Sequence, residues 1–164
     1  MIDAESAADH LPGAVAGLVR EAMVEYRRDP ARADFMLNYA CSQTADPLPL
    51  YRVLYKFYNR QRRFDLAHDF AGRALAEAAR QSGLPPEPGH WTGSALAAAD
   101  PLLASQCLLA LKALAFVALR RGDEAGSAVH LDHLRRLDPE DGSGASVVAA
   151  LARSLRDGSR SESP

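Results

Sequence analysis

Apolar residues recur along this chain at the three- and four-residue spacing that places side chains on one face of an α-helix. The first such stripe consists of Leu18, Val19, Ala22, Met23 and Tyr26. Patterns of this kind predict helices over residues 12–28, 30–43, 48–60, 63–81, 101–122, 123–137 and 144–156. No segment of the sequence shows sustained alternation of apolar and polar residues. The pattern therefore predicts an all-α protein of about seven helices with no sheet.

Proline and glycine divide these helices from one another. Asp29-Pro30 and Asp100-Pro101 each begin a helix, because aspartate caps the free amides and proline fits the first turn. The run from Gly83 to Gly89 contains three prolines and interrupts the helical pattern. The predicted organisation is a mobile N-terminus (1–11), one helical domain (12–156) with a proline-rich insert at about 82–99, and a disordered tail (157–164).

Small and apolar residues repeat at a fixed distance between two of the predicted helices. Adding 34 to the positions of Ala33, Leu37 and Ala40 gives Ala67, Ala71 and Ala74. Side chains of this size allow two helices to pack closely, so we expect Ala67 and Ala74 to lie where helices meet. A repeat of this length predicts that helical hairpins recur along the chain.

The repeat resembles the tetratricopeptide family, whose pattern is W-x2-L-G-x2-Y followed by A-x3-F and a proline. The residues that occupy its Trp, Leu, Tyr and Ala positions are Tyr51, Leu54, Tyr58 and Ala67. Tyr55 replaces the family's glycine and Ala71 its phenylalanine. A later hairpin, ALKALAFVALRRGDEAGSAVHLDHLRRLDP, fits the same pattern and begins about 60 residues after its predecessor. The resemblance implies antiparallel hairpins stacked as a short solenoid, interrupted by the insert.

Two stretches also resemble small bacterial repeat proteins that are encoded beside nitrogen-fixation genes. They are YRVLYKFYNRQRRFDLA and ALKALAFVALRRGDEA. Both resemblances imply a bacterial protein that binds another polypeptide, as an adaptor or an assembly chaperone, without catalysing a reaction.

The helix over residues 48–60 separates its aromatic residues from its basic ones. At 100° per residue, the apolar face consists of Leu50, Val53, Leu54 and Phe57, and the tyrosines Tyr51, Tyr55 and Tyr58 form a second stripe. A third face is basic and polar, and it comprises Arg52, Lys56, Asn59, Arg60 and Arg63. In the tetratricopeptide family the first helix of each hairpin lines the binding groove. The resemblance therefore implies that this basic face binds an acidic segment or a C-terminal carboxylate of a partner protein.

Three other interpretations of this region stay open. The basic face can be an ordinary solvated surface. It can bind nucleic acid, although rings and cations on separate faces do not suit base stacking combined with phosphate binding. The protein can also be a regulatory domain that holds a small ligand between the insert and the helix at 101–121.

His90 and Trp91 lie in the proline-rich insert. The tryptophan either anchors the insert against the core or, with His90, forms part of a lid over a binding site. His130 and His133 lie three residues apart, but no third ligand is near them in the sequence, and the two cysteines lack a catalytic signature. We therefore predict no metal site, no cofactor and no enzymatic activity.

Composition indicates which kind of partner the protein binds and in which cellular compartment it is expected. The net charge of −2 and the isoelectric point near 6.2 argue against a general polyanion-binding protein. Two cysteines in apolar surroundings and an acidic first segment without a signal-peptide pattern predict a cytoplasmic protein. The apolar helix at 101–121 contains Lys112, which favours a core helix over a membrane span. A homodimer is the alternative if the insert does not cover this helix.

Overall fold

The computed structural model describes residues 11–161, and this range is helical with connecting turns and no strand. Its α-helices are α1 (Gly13–Glu25), α2 (Pro30–Ser42), α3 (Leu48–Arg60), α4 (Phe64–Ser82), α5 (Gly93–Ala98), α6 (Pro101–Arg120), α7 (Glu124–Leu137) and α8 (Ala145–Ser161). A single turn of 3-10 helix, Pro88–His90, precedes α5. The all-α prediction is confirmed.

Consecutive helices pair through short turns. α1 contacts α2, α3 contacts α4, and α6 contacts α7, so each pair forms a hairpin. Between hairpins, α4 packs along α6. The ring of Tyr26, which directly follows α1, meets the rings of Phe57 and Tyr58 on α3 at centroid distances of 5.1 and 6.3 Å. These contacts join the three hairpins into one core. Stacking into a tetratricopeptide-like solenoid stays a prediction.

Aspartate side chains cap the starts of α2, α6 and α7, and the first two caps were predicted from the sequence. The carboxylate of Asp29 accepts from the amide of Arg32, and Asp100 accepts from the amides of Leu102 and Leu103. Asp123 caps α7 in the same way, through the amide of Gly126. Each cap satisfies a donor that the helix itself leaves free, and this fixes where the helix begins.

Helix α6 is the central element of the fold. It packs against α4 on one side and α7 on another, and it also contacts α3, α5 and α8. Its length and composition would suit a membrane span, and half of its apolar window is buried inside the protein, as in the core helix of a globular domain.

The positions that repeat in the sequence are buried in all three hairpins. Ala33 in α2 and Ala67 in α4 are fully buried, and Ser127, which follows the helix start of α7 at the same distance, is 1% exposed. Ala74 is also fully buried. A small side chain at this place lets the second helix of each hairpin approach its neighbours.

The structure adds detail to the predicted organisation at three places. The proline-rich insert contains a short helix, α5, that the pattern did not predict. The last helix continues to Ser161, so residues 157–161 are helical instead of disordered. Leu11, assigned to the mobile N-terminus, is 8% exposed and packs in the core. The remainder of both predicted terminal segments, residues 1–10 and 162–164, lies outside the described residues.

Candidate functional site

An apolar groove lies between α3, α6 and α8, with a volume of about 320 Å³. Its lining residues are Tyr55, Lys56 and Asn59 of α3, Leu109, Lys112, Ala113, Phe116 and Val117 of α6, and Val147 and Val148 of α8. We call this feature the α3/α6/α8 groove.

The helical period explains how each wall of the groove forms. Tyr55 and Asn59 are four residues apart, so they lie one above the other on α3. Leu109, Ala113 and Phe116 follow the same rule on α6, on a flank that α4 and α7 leave uncovered. On α8, Val148 is buried, whereas Val147 is 71% exposed at the groove edge. The floor of the groove is therefore apolar and accessible.

A row of cations runs along the α3 side of this groove. Arg52, Lys56 and Arg60 are spaced by four residues and therefore project from one face of the helix. Burial lowers the pKa of Lys56, and the charges of Arg52 and Arg60 lower it further. Positive charges close enough to perturb one another make this wall attractive to a carboxylate. We call these three residues the basic row.

Arg52 lies partly within the protein. Its Nε atom is buried and has no hydrogen-bond partner among the described residues. The phenol of Tyr55 lies close enough for the guanidinium charge to act on its pKa, although burial raises that pKa overall. The interaction places Arg52 against Tyr55, which lines the groove.

Lys112 fixes the position of α8, which forms the third wall of the groove. Its Nζ atom donates to the carbonyl oxygen of Ser143 at 2.8 Å, in the loop that leads into α8. Asp138 supports the same loop by accepting from the amides of Gly142 and Ser143, at 2.9 Å in both cases. These bonds fix the direction in which α8 leaves α7, and so they set the width of the groove.

Arg63 lies beyond the end of α3 and outside the basic row, and its part in partner binding stays a prediction. Helix α3 ends at Arg60, and Arg62 adopts a left-handed backbone conformation (φ 59°) that turns the chain. Arg63 then points toward the first hairpin, where it donates to the hydroxyl of Tyr26 at 2.9 Å and pairs with Asp34 at 3.5 Å.

The tyrosines of α3 are packing residues. Tyr58 is fully buried, stacks on Phe70 with 5.6 Å between ring centroids, and donates its hydroxyl hydrogen to Asp34 at 2.7 Å. Burial and the bond to Asp34 raise the pKa of Tyr58. Tyr51 is half-buried, with its ring 6.1 Å from that of Phe70. These rings therefore contribute to the core, in place of an exposed stacking platform.

Trp91 anchors the insert. Its side chain is 1% exposed, and its indole Nε1 donates to the carbonyl oxygen of Pro85 at 2.6 Å. Arg136 of α7 donates to the backbone carbonyls of Trp91 and Pro88. His90 lies beside these contacts and is exposed. Neither His90 nor Trp91 lines the groove, so the structure favours the anchor over the lid.

Metal-ligating side chains and thiols are the remaining candidates for chemistry in this protein. Among residues 11–161, no cluster of three or more histidine, cysteine, aspartate or glutamate side chains is arranged to hold a metal. Burial raises the pKa of Cys41 to about 11, against a smaller opposing effect of Arg73, and burial also raises the pKa of Cys107. Thiols with raised pKa values are poor nucleophiles at neutral pH.

Comparison of the chain with protein-family models, with curated proteins and with solved structures found no match. The resemblance to the tetratricopeptide family therefore stays a prediction from the pattern of the sequence. Sequence reasoning identified the α3 side of the groove but missed Lys112 and Val147. The sequence did indicate an uncovered apolar surface on α6, because the apolar residues of this helix cover more of its circumference than two neighbouring helices can bury.

Proposed function

We propose that this protein is a non-catalytic protein-interaction module, an adaptor or assembly chaperone of the bacterial cytoplasm, and that it binds a partner segment in the α3/α6/α8 groove. The observation that carries the proposal is an open apolar groove beside a row of three cations. Apolar contact provides affinity, and the cations select and orient a segment of opposite charge.

The dimensions of the groove indicate what the partner presents. A volume of about 320 Å³ is at the lower end for small-molecule pockets, and the groove is open along one side. It suits one or two apolar side chains of a polypeptide, with the main chain remaining outside. A carboxylate beside that apolar anchor would reach Lys56 and Arg60, where charge-assisted hydrogen bonds are available.

A polypeptide fits this site better than a nucleic acid. Single-stranded nucleic acids bind surfaces where bases stack on exposed rings between cations. Here Tyr58 is fully buried and Tyr55 is 6% exposed. The groove floor consists of aliphatic side chains and Phe116, and these side chains suit the apolar residues of a protein.

The proposal can be tested by selection from a displayed library of random peptides. Peptides enriched on the wild-type protein should combine a large apolar residue with a nearby aspartate or glutamate. Val147→Asp places a charge at the groove edge, at a residue that is 71% exposed, so the fold should tolerate it. This variant should lose the enriched peptides, and Lys56→Glu should weaken them because it reverses one charge of the basic row.

Two matched controls make the selection decisive. Val129→Asp changes an exposed valine on α7, and Arg153→Glu changes an exposed arginine on α8. Neither residue lines the groove. Both controls should keep wild-type binding. Enrichment of basic peptides, or equal binding by Val147→Asp and Val129→Asp, would refute the groove as the site of interaction.

A further inference from the structure

A second basic surface lies at the end of the molecule where two hairpin turns meet. Arg121 in the α6/α7 turn pairs with Asp65 at the start of α4, with 3.0 Å between Nε and Oδ1. The guanidinium of Arg120 lies 5.0 Å from the ring centroid of Phe64. The two turns therefore lie side by side and enclose a shallow surface hollow of about 600 Å³.

Arginine dominates the lining of this hollow. Arg62, Arg63 and Arg121 line it together with Phe64, Asp65 and Leu66. The guanidiniums of Arg62 and Arg120 both lie over Phe64, at 5.9 and 5.0 Å from the ring centroid. Contact with the ring restricts these flexible side chains, so less conformational entropy is lost when they bind a ligand. We call Arg62, Arg120 and Arg121 the tip arginines.

Within residues 11–161, carboxylates pair with two of the four arginines on this surface and leave two without an ion pair. Asp34 pairs with Arg63, and Asp65 pairs with Arg121. Neither Arg62 nor Arg120 has a carboxylate within ion-pair distance among the described residues, and both are exposed. Two unpaired guanidiniums thus remain beside two paired ones, in a chain whose net charge is −2.

Arg62 occupies a backbone position that would favour glycine. Its φ of 59° lies in the left-handed region, and the equivalent residue before the helix start of α7 is Gly122, with φ 77°. An L-residue with a side chain is strained there, whereas glycine is not. The turn between α3 and α4 does not need an arginine at this position. The side chain of Arg62 is therefore the feature that distinguishes this turn from the turn between α6 and α7.

The tip arginines are continuous with the groove. Phe116 lines the groove, and Arg120 is four residues further along α6, so the two are one helical turn apart on the same face. On α3, Asn59 lines the groove three residues before Arg62. A polypeptide whose apolar anchor sits in the groove would reach the tip arginines within a few residues.

We propose that the tip arginines form a second binding surface, which takes a run of aspartate or glutamate residues in the partner polypeptide, adjacent to its apolar anchor. The inference rests on the proposed function for its partner but concerns different residues. Guanidiniums recognise carboxylates bidentately, and the ring of Phe64 is covered by cations, which leaves it unsuited to stacking a base. An acidic polypeptide therefore fits this surface better than a nucleic acid.

The test uses the full chain and a fluorescent hexaglutamate peptide, which has charge but no apolar anchor. The variant Arg62→Gly/Arg120→Gln removes the two unpaired tip arginines, and glycine at position 62 relieves the backbone strain and so preserves the fold. Its affinity for hexaglutamate at low salt should fall about tenfold. The matched control Arg153→Gln/Arg156→Gln removes the same charge from α8 and should bind like the wild type. Circular dichroism should give all these variants the same helical content.

The outcomes separate this inference from the proposed function. Val147→Asp should keep hexaglutamate binding while it loses the peptides selected on the groove. Absence of hexaglutamate binding, or equal weakening in the two double variants, would overturn the tip surface. Loss of hexaglutamate binding in Val147→Asp would show that the acidic segment binds in the groove and not at the tip arginines. Tighter binding of a single-stranded oligothymidylate than of hexaglutamate, dependent on Arg62 and Arg120, would overturn the polypeptide assignment.

Discussion

At the scale of single residues, Ser127 departs from the packing rule of this fold. The equivalent positions in the other two hairpins are Ala33 and Ala67, and all three side chains are buried. The hydroxyl of Ser127 has no hydrogen-bond partner in the part of the chain that the structure describes. A buried polar group without a partner loses its hydration and gains nothing in return.

We therefore expect Ser127→Ala to stabilise the protein. The gain in the free energy of unfolding should be about 1 kcal/mol, because the methyl group fits the same space and removes the unsatisfied hydroxyl. Urea denaturation followed by circular dichroism measures this change. The reverse substitution at the equivalent site, Ala67→Ser, should destabilise the protein, and a loss of stability in Ser127→Ala would show that the hydroxyl is satisfied.

Burial lowers the pKa values of two histidines, His68 and His130. Burial lowers the pKa of His68 below its ordinary 6.5, and the charge of Arg121 lowers it further, against smaller opposing effects of nearby aspartates. Burial likewise lowers the pKa of His130, and the charges of His133 and His68 lower it further. The Nδ1 atom of His130 is buried and has no hydrogen-bond partner within residues 11–161. The groups facing the two histidines are Arg121, His133, Asp65, Asp69 and Asp123.

These shifts predict that stability decreases as the pH falls below about 6.5. The unfolded chain binds protons at its ordinary histidine pKa, whereas the folded chain binds them only at lower pH, so protonation favours unfolding in between. Urea denaturation between about pH 7.5 and pH 5.5 should show this decrease. His68→Gln/His130→Gln should reduce the slope. An unchanged slope in that variant would assign the pH dependence to the carboxylates.

At the scale of elements, the insert depends on contacts with the body of the protein. Helix α5 has only six residues, which is too short to be stable alone, and Leu96 is its buried residue. Trp91 and the two bonds from Arg136 hold the preceding turn against α7. The insert should therefore be able to open without global unfolding.

Substitution of Arg136 tests this dependence. Arg136→Met keeps a long side chain but cannot donate to the carbonyls of Trp91 and Pro88. Amide hydrogen exchange should become faster across residues 85–98 and stay unchanged in α3 and α4. The exposed Arg135→Met on the same helix is the control. Faster exchange throughout the protein would indicate that the insert is part of the global core.

The seven long helices could be predicted from the sequence because each has an apolar stripe, although the end of α8 was placed too early. Helix α5 could not, because its stability depends on contacts that residues distant in sequence provide. The direction of Arg63 was also beyond prediction, since helical periodicity continued past Arg60, whereas the left-handed conformation of Arg62 turned the chain. Periodicity identifies the face of a helix and does not reveal a change of backbone conformation after its end.

At the scale of the whole molecule, the candidate site consists of segments that are far apart in sequence. The basic row is on α3, the floor is on α6 and the third wall is on α8. The sequence indicated the basic face and the surplus apolar surface of α6 separately. Their adjacency follows from the packing of α4 along α6, which places the α6/α7 hairpin beside the α3/α4 hairpin. On α8, the exposed Val147 contributes an apolar side chain to the edge of this surface.

The central claim is that the α3/α6/α8 groove binds a partner polypeptide. Its most direct test is amide hydrogen exchange of the protein, with and without the peptide most enriched in the library selection. The claim predicts slower exchange in residues 52–60, 109–117 and 145–152, with unchanged exchange in α2 and the outer face of α7. Slower exchange confined to α2, where Phe35 and Tyr39 are exposed, or no change under saturating peptide, would contradict it.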